Sequence, residues 1–318
     1  MLGRASSVLR RTPASAWRRL LRRDFTIAID GPAASGKSST ARAVAQELGF
    51  GYIDSGSIYR CATLLALRKG AEAGAGGHED IAGLVKSASI DIRTRPGLQR
   101  PAPGVTGTGR IAVPDVQVLL DGEDVTREIR TPEVNRLVAA IAGDSSVREA
   151  VLHIQRSLAG AAETMPAAAT SGGVVMDGRD IGTTVFPDAE LKIYLDASAM
   201  ARAIRRWDEM SSQVSEAKAG VPSPRGAGSG CGQDQDQSES GSESAVDRTP
   251  AGYPSVEDIA RELEQRDYAD INRKHSPLRI APDAIVIDNT SMTFERQVYT
   301  IVDLARERMG LPRKYDDV

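Results

Sequence analysis

A strand-like segment runs directly into a glycine-rich loop near the start of the chain. Residues 25–30 read FTIAID, and the next eight residues, GPAASGKS, place Gly31, Gly36, Lys37 and Ser38 in the spacing G-x-x-x-x-G-K-[ST]. This motif works only between a strand and a helix, and the alanine-rich stretch after Ser38 is helix-like. A glycine-rich turn before an amphipathic helix is the ordinary alternative. The motif in its context predicts a phosphate-binding loop, the P-loop.

The residue types of the P-loop explain its chemistry. Its backbone N–H groups and the helix N-terminus attract the β- and γ-phosphates of a nucleotide, and Lys37 adds a full positive charge. Ser38 stands where such loops ligate Mg²⁺. The loop alone fits kinases, GTPases and motor or transporter ATPases, but no N-K-x-D guanine motif follows. The predicted nucleotide-binding residues are Gly31, Pro32, Ala33, Ala34, Ser35, Gly36, Lys37, Ser38 and Ser39.

Short strand-like runs alternate with helical stretches along much of the chain. The runs span residues 25–30, 52–54, 174–177, 191–196 and 284–288. Five such βα units predict an α/β fold of the P-loop NTPase type, with a five-stranded parallel sheet flanked by helices on both faces. Residues 78–165 break the rhythm with weak strands near Ile90 and at 116–120 and then helices, one of them starting at Thr131-Pro132 with Thr131 as N-cap. An inserted subdomain between the second and third core strands explains this break.

Polar side chains follow the predicted strands at the positions where each strand ends. In a parallel sheet these positions meet at one edge, beside the P-loop. Asp177 ends a VVMD run that resembles the magnesium-binding strand of P-loop proteins, although a strand-ending residue is the simpler explanation. The residues expected at this edge are Asp54, Ser55, Arg60, Asp177, Arg179 and Asp180.

A later helical stretch, RELEQRDYADINR, adds more charged residues. Arg266, Asp270 and Arg273 are spaced i, i+4, i+7 and would share one face of a helix. Such spacing is equally typical of an ion-pair stripe exposed to solvent. The trio therefore stays a candidate for the same site.

Composition excludes several classes of protein. Lys plus Arg is 40 and Asp plus Glu is 43, so the net charge of −3 argues against general nucleic-acid binding. No apolar run approaches the 18 to 20 residues that cross a bilayer, so no membrane association is expected. Cys61 and Cys231 lie far apart without metal-ligand spacing, which argues against a disulfide framework or a zinc site.

Two segments differ from the rest in composition. Residues 1–23 contain seven arginines and no acidic residue, which is typical of a mitochondrial transit peptide. The alternative is a disordered basic arm that binds RNA or acidic membranes, on a protein that stays in the cytoplasm. Residues 211–252 are rich in Ser and Gly, contain few large aliphatic side chains and predict a disordered insertion.

The chain resembles the bacterial-type cytidylate kinases, which are nucleoside-monophosphate kinases with a P-loop. The resemblance covers nearly all of residues 25–310 and rests on six segments in order: IAIDGPAASGKSSTA, YIDSGSIYR, LDGEDVTREIRTPEV, VREAVL, MDGRDIGTTVFPDAELKIYLDAS and RDYADINR. It implies ATP-dependent phosphorylation of CMP and dCMP to their diphosphates. It also implies ATP bound at the P-loop with Mg²⁺ as cofactor, and a monomeric enzyme.

The resemblance also implies roles for single residues. Cytosine would be read by Ser55, Arg148, Asp180 and Arg273, the CMP phosphate bound by Arg60 and Arg179, and the sugar bound by Arg266 and Asp270. A lid would begin at ASAMARAIRRWDEM, from which Arg202, Arg205 and Arg206 would reach the transferring phosphoryl group. The implied catalytic set is Lys37, Arg60, Arg179, Arg202, Arg205 and Arg206, and the implied metal ligands are Ser38 and Asp177.

The motifs, together with what the resemblance implies for the CMP-binding insert and the lid, give an expected division of the chain. The predicted parts are a transit peptide at 1–23, core segments at 24–77, 166–197 and 276–318, a CMP-binding insert at 78–165, and a lid region at 198–275 that contains the insertion at 211–252. Two other functions remain possible at this stage. One is a catalytically idle nucleotide-binding protein that recruits a partner, and the other is a different small-molecule P-loop kinase.

Overall fold

The computed structural model describes residues 25–70, 78–95, 111, 113–164, 172–219 and 254–315. The predicted transit peptide and most of the predicted disordered insertion, with Cys231, lie outside these residues. Cys61 is a buried free thiol. Within the described ranges, every helix is too short or too polar to cross a bilayer.

The described strands form two sheets. Five make a parallel sheet in the order β2-β6-β1-β7-β8: β1 (Phe25–Asp30), β2 (Gly51–Asp54), β6 (Gly173–Asp177), β7 (Leu191–Asp196) and β8 (Ile285–Asp288). Three make an antiparallel sheet: β3 (Ile90–Arg95), β4 (Asp115–Leu120) and β5 (Glu123–Asp124). The predicted fold class, a five-stranded parallel sheet flanked by helices, is confirmed.

Helices connect and cover these strands. Their bounds are α1 (Lys37–Leu48), α2 (Ser55–Arg68), α3 (His78–Ser87), α4 (Pro132–Gly143), α5 (Ser145–Thr164), α6 (Ala199–Ala219), α7 (Val256–Asn272) and α8 (Phe294–Arg308). A π-helical turn follows β6 at Ile181–Val185. The second sheet and α3 to α5 lie between β2 and β6 in the sequence, where the subdomain was predicted.

The three central strands of the parallel sheet, β6, β1 and β7, are buried on both faces, which is why they are continuous apolar runs, whereas the edge strand β8 is partly exposed. Alternate residues of β1 enter two cores. Ile27 and Ile29 pack in one core with side chains of α1 and α8. Ala28 lies in the other core with side chains of α2 and α5. The carboxyl ends of all five parallel strands therefore open on one edge, which is where the P-loop begins.

Helices α6 and α7 pack against each other and against the P-loop. Ala203, Ile259 and Leu263 form a separate small core with Ala33 of the P-loop. Helix α6 continues to Ala219, so the prediction that disorder begins at residue 211 is wrong. The composition average over 211–252 concealed the good helix formers Glu, Ala and Lys at 216–219. Residues 220–253 lie outside the described part of the chain.

Two helix ends also differ from the sequence patterns. Helix α4 begins at Pro132 as predicted, but the Thr131 side chain makes no capping hydrogen bond. Helix α7 ends at Asn272, so Arg273 is the C-cap in extended conformation and is not part of a helical face. Its Nε donates to Ser276 O at 2.6 Å, which holds the turn that follows the helix.

Candidate active site

The P-loop folds tightly against the neighbouring strand β7. A Cβ atom at Gly31 would lie 2.1 Å from the carbonyl oxygen of Leu195, so only glycine fits there. Gly36 has φ +86° and is the N-cap of α1, a left-handed conformation that glycine adopts without strain. The two motif glycines are thus required by a close approach and by a turn.

Lys37 is buried at the base of the P-loop. Its Nζ donates to Pro32 O and, at 3.2 Å, to Ser35 Oγ. Burial lowers the pKa of Lys37 well below its usual value, and the positive charge of Arg179 lowers it further. The ammonium group therefore lies where an additional anion would be strongly stabilising.

A cavity of about 580 Å³ opens beside Lys37. The P-loop, α6 and the segment from β8 to α8 surround it. Its lining includes Gly36, Lys37, Ser38, Ser39, Arg179, Arg205, Asn289 and Phe294. This cavity combines a volume suited to a small ligand with phosphate-binding groups at one end.

Ser38 and Asp177 meet at the other side of Lys37. Ser38 Oγ donates to Asp177 Oδ2 at 2.7 Å, and the hydroxyl of Tyr52 donates to Asp177 Oδ1 at 2.7 Å. Burial, followed by the negative charge of Asp54, raises the pKa of Asp177 to about 6. Tyr52 was missed in the sequence, where it reads only as an apolar strand residue.

Asp30, the last residue of β1, was also missed. Its Oδ1 accepts from Ile181 N at 2.8 Å and its Oδ2 accepts from Gly182 N at 2.7 Å. Burial raises the pKa of Asp30 to about 6, although these two hydrogen bonds oppose the shift. Asp30 thus holds the start of the π-helical turn directly after Arg179 and Asp180.

Two guanidinium groups converge on the buried carboxylate of Asp180. Arg148 from α5 forms an ion pair with Asp180 Oδ2, and Arg273 Nη2 lies 3.5 Å from Asp180 Oδ1. The Arg148 guanidinium also lies 5.3 Å from the ring centre of Tyr59. Arg148 Nε and Arg273 Nη2 are buried and have no hydrogen-bond partner. Buried unpaired donors are costly, so their presence indicates a site for a polar ligand.

Ser55 and Arg60 lie on α2 at the same edge of the sheet. Gln155 Nε2 donates to Ser55 Oγ at 2.7 Å. Arg60 Nη1 donates to Asn135 Oδ1 at 2.6 Å and to Ile129 O at 3.0 Å. Gln155 and Asn135 are supporting residues that sequence spacing did not reveal, because their partners lie 100 and 75 residues away.

Arg179 links this acceptor-side cluster with the P-loop side. Its Nε pairs with Asp270 Oδ2 of α7 at 2.9 Å, and it also lines the cavity. Arg266, one turn before Asp270, keeps an accessible side chain. Desolvation and then the charge of Arg179 lower the pKa of Arg266. The two guanidinium groups thus repel each other, and a bound anion would relieve that repulsion.

The three arginines of α6 have different surroundings. Arg205 lines the cavity and donates to Asn289 Oδ1 at 2.9 Å and to Asn289 O at 2.7 Å. Arg206 is half exposed and pairs with Glu209. Arg202 is buried away from the cavity lining and pairs with Asp267 at 2.6 Å. Only Arg205 of the three borders the space beside the P-loop.

Comparison with known proteins gives a consistent result. The family model described as cytidylate kinase matches residues 27–221 and 246–307. A cytidylate kinase of Pelodictyon phaeoclathratiforme is 38% identical over 283 residues, which is 89% of this chain and 95% of that protein. Those of Pelotomaculum thermopropionicum and Geobacillus kaustophilus are 38% and 36% identical, over 87% and 91% of this chain and 93% and 100% of theirs.

These relatives correct one expectation from the sequence. They are bacterial proteins, and bacteria have no mitochondria. The mitochondrial location predicted from residues 1–23 is therefore wrong. Arginine-rich composition alone was a misleading indicator, because a basic segment has several uses besides import.

Proposed function

The chain belongs to the cytidylate kinase family, and on that premise we propose that it transfers the γ-phosphoryl group of ATP to CMP and dCMP, forming CDP and dCDP. One observation carries the proposal. Arg179 connects a P-loop that carries a buried lysine with a cluster in which Arg148 Nε and Arg273 Nη2 are buried and make no hydrogen bond. A donor site and an acceptor site for two phosphorylated ligands thus share one edge of the sheet.

The ATP phosphates would bind residues 31–39. Ala34, Gly36, Lys37, Ser38 and Ser39 line the cavity, so backbone N–H groups here and the N-terminus of α1 would bind the phosphates, and Lys37 would supply the full charge. Phosphate oxygens would replace Pro32 O as partners of the Lys37 ammonium group and would oppose the lowering of its pKa. The cavity between α6 and α8 would take the remaining part of ATP.

Ser38 and Asp177 fit a magnesium ion. A hydroxyl and a carboxylate are hard oxygen donors, and Mg²⁺ is usually held by one or two such side chains together with substrate phosphates and water. The described residues include no cluster of three or more His, Cys, Asp or Glu side chains suited to a protein-only metal site. When bound, Mg²⁺ would neutralise charge on the β- and γ-phosphate oxygens.

The acceptor cluster would read cytosine by its hydrogen-bonding edge. A carboxylate accepts from the exocyclic amine of cytosine, a role that suits Asp180. The unpaired donors of Arg148 and Arg273 would satisfy the ring acceptors, and Ser55 would add a hydroxyl. Uracil carries a carbonyl where cytosine carries the amine, so the Asp180 carboxylate would repel it.

The remaining polar groups would orient the CMP phosphate and sugar. Arg60 and Arg179 would bind the phosphate, since a guanidinium contacts two oxygens at once. Arg266 and Asp270 would hold the sugar, with Asp270 shared between Arg179 and the hydroxyl groups. This arrangement would place an oxygen of CMP opposite the γ-phosphorus of ATP.

The transfer itself would need positioning and charge stabilisation and no histidine base. A phosphate monoester with a second pKa near 6 is largely deprotonated at neutral pH. Its oxygen attacks the γ-phosphorus in line while the bond from the γ-phosphorus to the β,γ-bridging oxygen breaks and ADP leaves, and negative charge spreads over the three equatorial oxygens. Lys37, Arg179 and Arg205 lie around the cavity and would stabilise that charge, and we assign supporting roles to Arg60 and Arg206, which lie outside its lining.

The finer organisation of the protein is part of the same proposal. Residues 78–165 would form the CMP-binding insert and residues 198–275 the lid region. The enzyme would act as a monomer without nucleic-acid partners. The net charge of the chain after Arg23, 33 basic against 43 acidic residues, or −10, means that attraction of anionic nucleotides must be local to Lys37 and the arginines.

A substrate panel tests the activity. The full chain is assayed with ATP, MgCl₂ and each of CMP, dCMP, UMP, AMP and shikimate, and ADP formation is followed by a coupled reaction. We expect turnover with CMP and dCMP far above AMP and shikimate. Turnover of AMP or shikimate without turnover of CMP would refute the proposal.

A further inference from the structure

Ala33, in the P-loop, has both of its backbone polar groups held by side chains of α6 and α7. Asp267 Oδ1 accepts from Ala33 N at 2.9 Å, and Arg202 Nη1 donates to Ala33 O at 2.9 Å. Ala33 is itself buried against Ala203 and Leu263. The P-loop is therefore attached to these helices by directed hydrogen bonds as well as by packing.

Arg202 and Asp267 also bind each other. Arg202 Nη1 lies 2.6 Å from Asp267 Oδ2, and the two side chains are only 7% and 12% exposed. Arg202 Nε donates to Ala197 O at 3.0 Å, so the guanidinium is held from several sides. A buried ion pair is weak evidence for added stability, because an apolar pair of similar volume is often as stable. Its specific consequence here is geometric, since it orients the N–H and C=O of Ala33 together.

The helix that carries Asp267 also reaches the acceptor side. One turn further on, Asp270 pairs with Arg179 at 2.9 Å, and Arg273 at the C-cap lies 3.5 Å from Asp180. At about 1.5 Å of rise per residue, residues 267–272 span roughly 7.5 Å. One helix and the residue that caps it thus contact the P-loop and both acceptor-side residues after β6.

We propose that Arg202 and Asp267 are positioning residues that hold the P-loop through Ala33 and connect it to α7, and that Arg202 does not contact the transferring phosphoryl group. This reassigns Arg202 from the catalytic role that the resemblance implied. Loss of the pair should loosen the nucleotide-phosphate site and leave the acceptor site intact, because the Asp270–Arg179 contact is separate. The inference rests on the proposed function only for the identity of the acceptor.

The test uses the full chain with both partners replaced, Arg202→Met together with Asp267→Leu. Replacing both avoids a lone buried charge, which would destabilise the fold on its own. Thermal melting checks that the variant is folded, and titration calorimetry measures affinity for MgADP and, separately, for CMP. We expect MgADP to bind about tenfold more weakly, since two hydrogen bonds to the loop are lost, and CMP affinity to stay within about twofold.

A single variant keeps the proposal testable if the double variant does not fold. Arg202→Lys keeps a positive charge beside Asp267 but removes the planar group that donates to Ala33 O, Ala197 O and Asp267 at once, so we expect a smaller loss of MgADP affinity, about threefold. Arg261→Met is the matched control, because Arg261 lies on the same helix with a side chain 71% exposed and should leave both affinities unchanged.

Two results would overturn the proposal. The first is a folded double variant that binds MgADP as tightly as the wild type. If its kcat also falls sharply, Arg202 contacts the phosphoryl group, and if kcat is unchanged, the pair has no role in positioning the P-loop. The second is an equal loss of MgADP and CMP affinity, as from general loosening. The MgADP titration does not depend on the acceptor. A wild-type protein that failed to phosphorylate CMP would therefore count against the proposed function and leave this test intact.

Discussion

Replacing Asp180 with asparagine tests how the acceptor site distinguishes cytosine from uracil. Asp180 is buried, forms an ion pair with Arg148 and lies 3.5 Å from Arg273. The change Asp180→Asn keeps the shape of the side chain and removes its charge. The amide can offer an N–H to the carbonyl of uracil, whereas the carboxylate can only accept from the amine of cytosine.

The structure sets the expected size of the effect. A well-placed contact to a base edge discriminates by about 1–3 kcal/mol, so the ratio of kcat/KM for CMP over UMP should fall roughly 5- to 150-fold. Stability should fall as well, by up to about 3–5 kcal/mol, because two guanidinium groups lose their buried counter-charge. The first effect concerns recognition and the second concerns folding, and they are measured separately.

The assay measures kcat/KM for CMP and for UMP on the same preparation, well below the melting temperature. Any loss of folded enzyme then cancels in the ratio. Asp91→Asn is the control, since Asp91 forms an exposed ion pair with Arg93 on β3 and should leave the ratio unchanged. A folded Asp180→Asn enzyme with the wild-type preference for CMP over UMP would refute the assignment of Asp180 as the cytosine acceptor.

Other residues give further predictions. Lys37→Met should lower kcat roughly 10³-fold with little change in melting temperature, because it removes charge stabilisation at the transferring group; activity near the wild-type value in a coupled assay would contradict this. Ser38→Ala should weaken Mg²⁺ affinity, measured by titrating MgCl₂ against nucleotide-bound protein, since one oxygen donor is lost beside Asp177. The folded-state pKa of Asp30, about 6, lies above its usual 3.8, so the stability that this group contributes is fully present below about pH 4 and is lost as pH rises through 6. In chemical denaturation, Asp30→Asn should remove about 3 kcal/mol of that decline between pH 4 and 7, and an unchanged pH dependence would exclude this role.

Much of the core was predictable because its determinants are local. The strand β1, the P-loop and the start of α1 follow from one motif whose residues are neighbours in the chain. The five parallel strands were found because strands buried on both faces are continuous apolar runs. Asp177 and Arg179 were expected at the sheet edge because they follow β6, and the structure places both there.

Residue spacing and average composition did not predict where two helices end. The end of α7 at Asn272 takes Arg273 out of the helix, yet the turn that follows still brings it to Asp180. Helix α6 extends past residue 211, because helix formation depends on the residues in each turn and not on the mean composition of a long segment.

The sequence by itself determined the fold class, the P-loop and most of the charged residues at the sheet edge, since each is marked by a pattern of neighbouring residues. Only the tertiary structure decided the strand order β2-β6-β1-β7-β8 and the partners of the buried charges. Asp267 meets Ala33 across 234 residues, and Asp30 meets Gly182 across 152. Such pairings arise from how helices and strands pack in space. A buried charge pairs with a group that packing brings within hydrogen-bonding distance, and the spacing of residues in the sequence does not predict which group that is.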